Sequence, residues 1–187
     1  MSMAVKIGKR VHLRYPVPND HDEYLALKRA SKAFHQPWEP LPRPGSDPYG
    51  SAAFDKMLAS ASSERKRCFL VVKNTEPKIV GVVNLSEISR GCFQNCFMGY
   101  WVGQPYRGHG FMTEALRLAV DYLFDDLDLH RVEANIIPSN AASIALIKRL
   151  GFRLEGLSQR YLKINGEWQD HERWALTREE VTADTTR

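Results

Sequence analysis

The sequence has no long hydrophobic run. No apolar stretch approaches the roughly 18 to 20 residues of a membrane-spanning helix, and the opening MSMAVKIGKR lacks the apolar centre of a secretory signal. A cytoplasmic protein with no membrane contact is expected. Cysteine is scarce, three in 187 residues, an odd number that does not suit a disulfide framework. Cys92 and Cys96 fall in an expected hairpin, without the second Cys or His pair that a zinc site uses. The six histidines show no ligand spacing either, so no metal is expected. Repeats and low-complexity segments are absent, apart from a charged tail over 178–187 that is expected to fray. The chain also lacks a basic cluster. Its net charge of +4 favours an anionic ligand, yet Lys and Arg are spread along it rather than interleaved with aromatics as on a nucleic-acid surface. A phosphate-bearing small molecule accounts for the charge with no direct nucleic-acid contact required.

What is present suits one compact α/β domain over 1–177: 43% apolar residues, ten prolines and twelve glycines. VHLRYPV (11–17) alternates as a strand does, and Asn19 or Asp20 can cap a helix through HDEYLALKRA. Between 34 and 50 five prolines surround Trp38 and Tyr49, the composition either of a linker or of an ordered loop over a pocket. A short helix over 51–60 precedes a meander of strands at 68–73, 79–88 and 96–102. From Met112 the apolar positions recur at helical spacing to Phe124, and RVEANII (131–137) is the next strand. Pro138, Ser139 and Asn140 open a second helix that closes at Gly151. Two closing strands flank Asn165-Gly166, a strong hairpin signal.

The turn GQPYRGHGFMT (103–113) joins the strand at 96–102 to the following helix. A helix start offers unpaired N–H groups and about half a positive charge, which suits phosphate. The mononucleotide P-loop does not fit, because no Lys precedes Thr113. The dinucleotide fingerprint does not fit, because Thr113 stands where its third glycine belongs.

What remains, Arg107-x-x-Gly110-x-Met112, resembles the acetyl-coenzyme A signature of the GNAT superfamily of N-acetyltransferases, with Met112 in place of the usual small residue. The segment ANIIPSNAASIALIKRLGF (134–152) resembles the next block of that superfamily. A closer resemblance, to bacterial ribosomal-protein alanine N-acetyltransferases, rests on QPWEP (36–40), residues 89–116, LHRVEANIIPSNAAS (129–143), LGFRLEG (150–156) and INGEWQDH (164–171).

The resemblance implies a mixed, mostly antiparallel sheet with flanking helices, in which the strands at 96–102 and 131–137 run parallel and splay to admit acetyl-CoA. It implies that Arg107, Gly108, His109, Gly110, Phe111, Met112 and Thr113 form the pyrophosphate turn, with His109 as a solvent-facing filler and the Met112 side chain turned away. Trp101 and Val102 are the implied backbone donors to the thioester carbonyl. Asn135 is an implied cofactor contact. Asn140 either bonds the pantetheine amides or merely caps its helix. Ser143 lies three residues on, on the same face, and is the implied acid for the thiolate. Glu87 is either the base or a substrate contact, and Glu133 either a base or an exposed strand carboxylate.

A water chain is the third route for the amine proton, since an α-amine titrates near 7.7 to 8.0. Trp38, Trp168 and Asp170 either line the acceptor slot or pack. A hydrolase triad of Ser143, Asp170 and His171 fails, because neighbours on a strand face opposite ways. The expected acceptor is the N-terminal amine of a ribosomal protein, with a polyamine or aminoglycoside, or a non-catalytic CoA-binding or ribosome-binding role, as alternatives. A monomer or a homodimer is expected.

Overall fold

The computed structural model describes residues 3–184. Its strands are β1 (Ala4–Ile7), β2 (Val11–Arg14), β3 (Ser62–Ser63), β4 (Lys66–Lys73), β5 (Ile79–Ser89), β6 (Asn95–Val102), β7 (Arg131–Ile136), β8 (Arg153–Ile164) and β9 (Glu167–Thr177). The helices are α1 (His21–Ala30), α2 (Lys32–His35), α3 (Ser51–Ala59), α4 (Phe111–Asp121), α5 (Ala141–Arg149) and α6 (Arg178–Asp184). The strands form one sheet in the order β1-β2-β4-β5-β6-β7-β9-β8, with β3 paired to β4. Every pairing is antiparallel except β6 with β7. The expected mixed sheet with one parallel pair is therefore the architecture. Among the described residues no helix is long and apolar enough to cross a membrane.

Both faces of the sheet are covered at its centre, which explains the unbroken apolar run in β4. Phe69 and Val71 face a core shared with α4, whereas Cys68, Leu70 and Val72 face a second core that includes Tyr24 and Leu25 of α1 and Phe54 of α3. The helical spacing read from Met112 holds, since Met112, Ala115, Leu116, Ala119 and Val120 are the buried face of α4. Each fully buried Leu or Val contributes about 1.5–3 kcal/mol, so this stripe fixes the helix against the sheet. Beyond Asp121 the helix continues with wider winding to Asp126, and the Leu127 amide donates to the Tyr122 carbonyl at 3.1 Å.

Two local expectations change and one open alternative is decided. Asp20 stands at the start of α1, but its carboxylate turns back to Arg14 at 2.6 and 2.7 Å and to the Val17 amide at 2.7 Å. A guanidinium fork outcompetes the helix amides for it. The proline-rich segment is an ordered loop, since the Asn165 amide donates to the Glu39 carbonyl at 3.0 Å and Leu41 packs over Gly166. The tail does not fray from its start: Arg178–Asp184 is α6. Glu180 accepts from the Thr177 amide at 2.8 Å and from its hydroxyl at 2.9 Å, pairs with Arg153, and Val181 packs on the core. Thr177-x-x-Glu180 is a capping box visible in the sequence. Residues 185–187 of the tail lie outside the described residues.

Candidate active site

The turn before α4 has the two conformations that only glycine adopts readily: Gly108 and Gly110 both have φ of +76°. With Gly110 at the N-cap, the first turn of an 11-residue helix opens toward solvent. Arg10 fixes the far side of this turn, a contribution the sequence did not signal. Its guanidinium donates to the carbonyls of His109 at 2.9 Å and Gly110 at 3.2 Å and to Glu114 at 2.9 Å. With those carbonyls held outward, the amides can face a diphosphate. Burial pushes the Glu114 carboxyl up, but the Arg10 and Val11 amides and the Arg10 side chain bonded to it leave it below the usual carboxylate range. Arg107 is exposed, with its guanidinium 5.8 Å from the Phe34 ring centre. His109 is exposed as expected and stacks on Phe111 at 5.8 Å. Met112 is buried and turned into the sheet, where its Cε approaches Gly81, and Thr113 lies on the outer side of the turn with Lys9 and Arg10.

The parallel pairing of β6 and β7 stops at Phe97 opposite Glu133. From Met98 onward the β7 side of β6 has no strand partner, so backbone groups there are open to a ligand. Alternation decides which ones. The Gly103 amide donates to Val80 of β5, and the Trp101 carbonyl lies against Gly81 of β5. Successive residues point their backbone groups to opposite edges, so Tyr100 and Val102, not Trp101, direct their amides into the gap. Trp101 instead packs its ring against Tyr24 and His35, with Lys28 Nζ 5.5 Å from its centre. His35 Nε2 donates to the Val102 carbonyl at 2.9 Å. Burial pushes its pKa down against the raising effect of that bond, so it orients the strand as a neutral group.

Across the gap, α5 begins at Asn140, whose Oδ1 accepts from the Ser143 amide at 3.1 Å. The capping reading of Asn140 therefore holds, and its Nδ2 remains for a ligand. Ser143 Oγ lies 2.6 Å from the Tyr100 hydroxyl, a pairing the sequence reading missed. Burial pushes the Tyr100 phenol up to about 12, outweighing the opposing pull of that bond. The phenol thus stays protonated at neutral pH. When it donates to Ser143 Oγ, the serine proton is left pointing elsewhere.

Two cavities meet at these residues. One, of about 460 Å³, runs between β6, α5 and the segment carrying Phe34, His35 and Trp38. The other, about 220 Å³, lies between β6 and β7 and reaches His171 of β9. Trp38, Tyr100, Asn140 and Ser143 line both, so two ligands entering from opposite sides would meet there. Asn135 lines the smaller cavity, and its Oδ1 is buried without a partner. That acceptor calls for a donor from a ligand.

Other expected site residues lie elsewhere. Glu87 sits on a bulge of β5 at φ +50°, is 61% exposed in its side chain and pairs with Arg65, past the end where β6 and β7 are still joined. It lines neither cavity. Glu133 is only 2% exposed, and Arg131 at 3.1 Å and Arg173 at 3.0 Å take its two oxygens; it is neither an exposed carboxylate nor a free one. Trp168 is 61% exposed. Asp170 accepts from the Arg160 amide at 2.8 Å, on the opposite face from His171, as strand alternation requires. Among the described residues no group of three or more His, Cys, Asp or Glu is placed to hold a metal.

The profile of the family described as "Acetyltransferase (GNAT) domain" matches residues 10–153. The chain is 38% identical over 151 residues to the [ribosomal protein uS5]-alanine N-acetyltransferase of Escherichia coli, covering 79% of this chain and 77% of that one. It is 32% identical over 174 residues to a probable N-acetyltransferase, YjcK, of Bacillus subtilis, covering 90% and 94%. Among solved structures, Mycobacterium smegmatis RimJ in complex with CoA-disulfide superposes with a TM-score of 0.85 at 30% identity, covering 91% of this chain and 83% of that one.

Proposed function

The chain belongs to the GNAT acetyltransferase family, and on that premise we propose that the amine it acetylates is the N-terminal α-amine of a ribosomal protein in the cytoplasm. The protein is an acetyl-CoA-dependent N-acetyltransferase. Acetyl-CoA supplies an activated acetyl thioester. The residues present fit it: an open helix start for the diphosphate and an unpaired strand edge for the amide-bearing arm.

In this reading the amides from Arg107 to Thr113 hold the diphosphate, and the Val102 amide donates to the thioester carbonyl, the site of developing negative charge. Ser143 donates its proton to the departing sulfur while Tyr100 donates to Ser143 Oγ. Trp38 closes the acceptor side. The amine attacks directly, with both substrates bound.

The observation that carries the acceptor is the lining of the smaller cavity. It contains Trp38, Met98, Tyr100, Asn135, Ile136 and His171 but no carboxylate. A polyamine needs anionic partners for its several charges, and Glu39, on the edge of the larger cavity, is already paired with Lys28 at 3.3 Å. A small, neutral N-terminal residue such as alanine suits about 220 Å³ of space lined by uncharged polar and apolar groups. The named activity of the 38% identical relative supports the same choice. An α-amine is also easier to use: the roughly 2.6-unit gap to lysine is worth about 3.5 kcal/mol of deprotonation.

Steady-state comparison of an alanyl ribosomal N-terminal peptide with spermidine tests this. We expect kcat/KM for the peptide to exceed that for spermidine by at least about 100-fold. The reverse preference would transfer the site to small amines.

A further inference from the structure

We propose that His171 is the catalytic group that takes the proton from the attacking amine. The inference rests on the amine-acetylation reading of the site and adds a residue that the sequence reading considered only as a hydrolase triad member. His171 is 3% exposed on β9 and lines the same cavity as Ser143 and Tyr100. Its Nδ1 lies 3.0 Å from the Gln169 carbonyl. A carbonyl only accepts, so Nδ1 carries the hydrogen and Nε2 carries the lone pair. Nε2 has no hydrogen-bond partner among the described residues. The Tyr161 ring, 5.6 Å away on β8, packs against the imidazole.

The surroundings leave this nitrogen free to act. From β6 the cavity presents the protonated Tyr100, from α5 Asn140 and Ser143, and from the proline loop Trp38. The charged groups on the same face are Arg131 and Glu133 of β7, Arg173 of β9 and Glu155 of β8; Arg131 pairs with both carboxylates and Arg173 with Glu133. No other carboxylate or imidazole lines the cavity, and Glu87 and Glu133 are excluded by position and by pairing. As the amine nitrogen bonds to the acetyl carbon, its N–H proton passes to Nε2, the C–S bond breaks, and the sulfur takes the Ser143 proton. Solvent then removes the proton from His171, and Ser143 is reprotonated through Tyr100.

The test measures initial rates with acetyl-CoA and an alanyl N-terminal peptide, with and without added imidazole, for wild type, His171→Gln and His171→Ala. We expect kcat to fall about 100-fold or more in both variants with KM for acetyl-CoA unchanged. Added imidazole should restore turnover to His171→Ala and not to His171→Gln. A His171→Gln enzyme within about threefold of wild type would overturn the proposal, as would a His171→Ala enzyme that gains nothing from imidazole. If wild type acetylates spermidine and not the peptide, the acceptor reading falls while the same variants assayed on spermidine still decide the role of His171. If wild type acetylates neither, both fall.

Discussion

Replacing Gly81 by Ala probes the point where the sheet core and the open strand edge are mechanically joined. Gly81 faces Val102 across the β5–β6 pairing, and a Cβ there would stand 2.3 Å from the Trp101 carbonyl and 2.9 Å from Met112 Cε. The methionine end can swing away. The carbonyl belongs to the backbone of β6 and can yield only if the strand shifts outward. Overpacking of this kind costs about 1–3 kcal/mol, and a backbone contact so far below van der Waals distance belongs to the upper part, about 2–3 kcal/mol. For a domain of this size each kcal/mol lowers the melting midpoint by about 2–4 °C, so calorimetry should show a fall of about 4–12 °C. The strand shift moves the Val102 amide, and a misplacement near 1 Å can cost about 100-fold in rate. Acetyl-CoA affinity, set largely at the start of α4, should change little. A variant melting within about 1 °C of wild type with unchanged kcat would refute the claim that Met112 and β6 are locked over this glycine.

Three further outcomes follow from the geometry. Arg10→Ala removes side-chain bonds to His109, Gly110 and Glu114; at about 0.5 kcal/mol each in this half-exposed setting, acetyl-CoA should bind about tenfold more weakly by titration calorimetry, with kcat retained. Ser143→Ala should lower kcat about 100-fold and Tyr100→Phe less, about tenfold, each with acetyl-CoA affinity within about twofold; equal rates in Ser143→Ala would remove serine from the chemistry. Glu155 is held down at about 2, from 4.5, chiefly by its hydrogen bond to Arg131 against the opposing effect of burial. A carboxyl depressed on folding stabilises above its unfolded pKa and loses that contribution as pH falls toward the folded one. Urea midpoints should therefore drop between about pH 4.5 and 2 in wild type and drop less in Glu155→Gln.

The sequence was most legible where one local rule governs. Period 3.6 marked the buried face of α4, the unbroken apolar run marked β4, and Asn165-Gly166, at φ of +47° and +89°, made the tight turn its residue types require. The glycine turn between β6 and α4 was legible, and Gly108 and Gly110 take left-handed conformations there; its role toward phosphate came from the resemblance alone. What stayed hidden depends on contacts far apart in the chain. Arg10 reaches residues about 100 positions away, and Tyr100 meets Ser143 only because β6 and β7 diverge. Trp101 was paired with Val102 as a donor, yet only strand alternation relative to β5 separates their edges. Glu133 sits in the pattern of a strand carboxylate, and its burial under two guanidinium groups came from β7 and β9 being neighbours in space. The capping box at Thr177 is local, and the charge of the residues that follow it masks the helix it starts.

The most direct test of the account uses one ribosomal N-terminal peptide in two forms, one with a free α-amine and one blocked there but carrying lysine. Each is incubated with acetyl-CoA and the protein, and the modified position is read by mass spectrometry. The account predicts acetylation of the free α-amine alone. Acetylation of the lysine form, or of neither form while acetyl-CoA still binds, would contradict it.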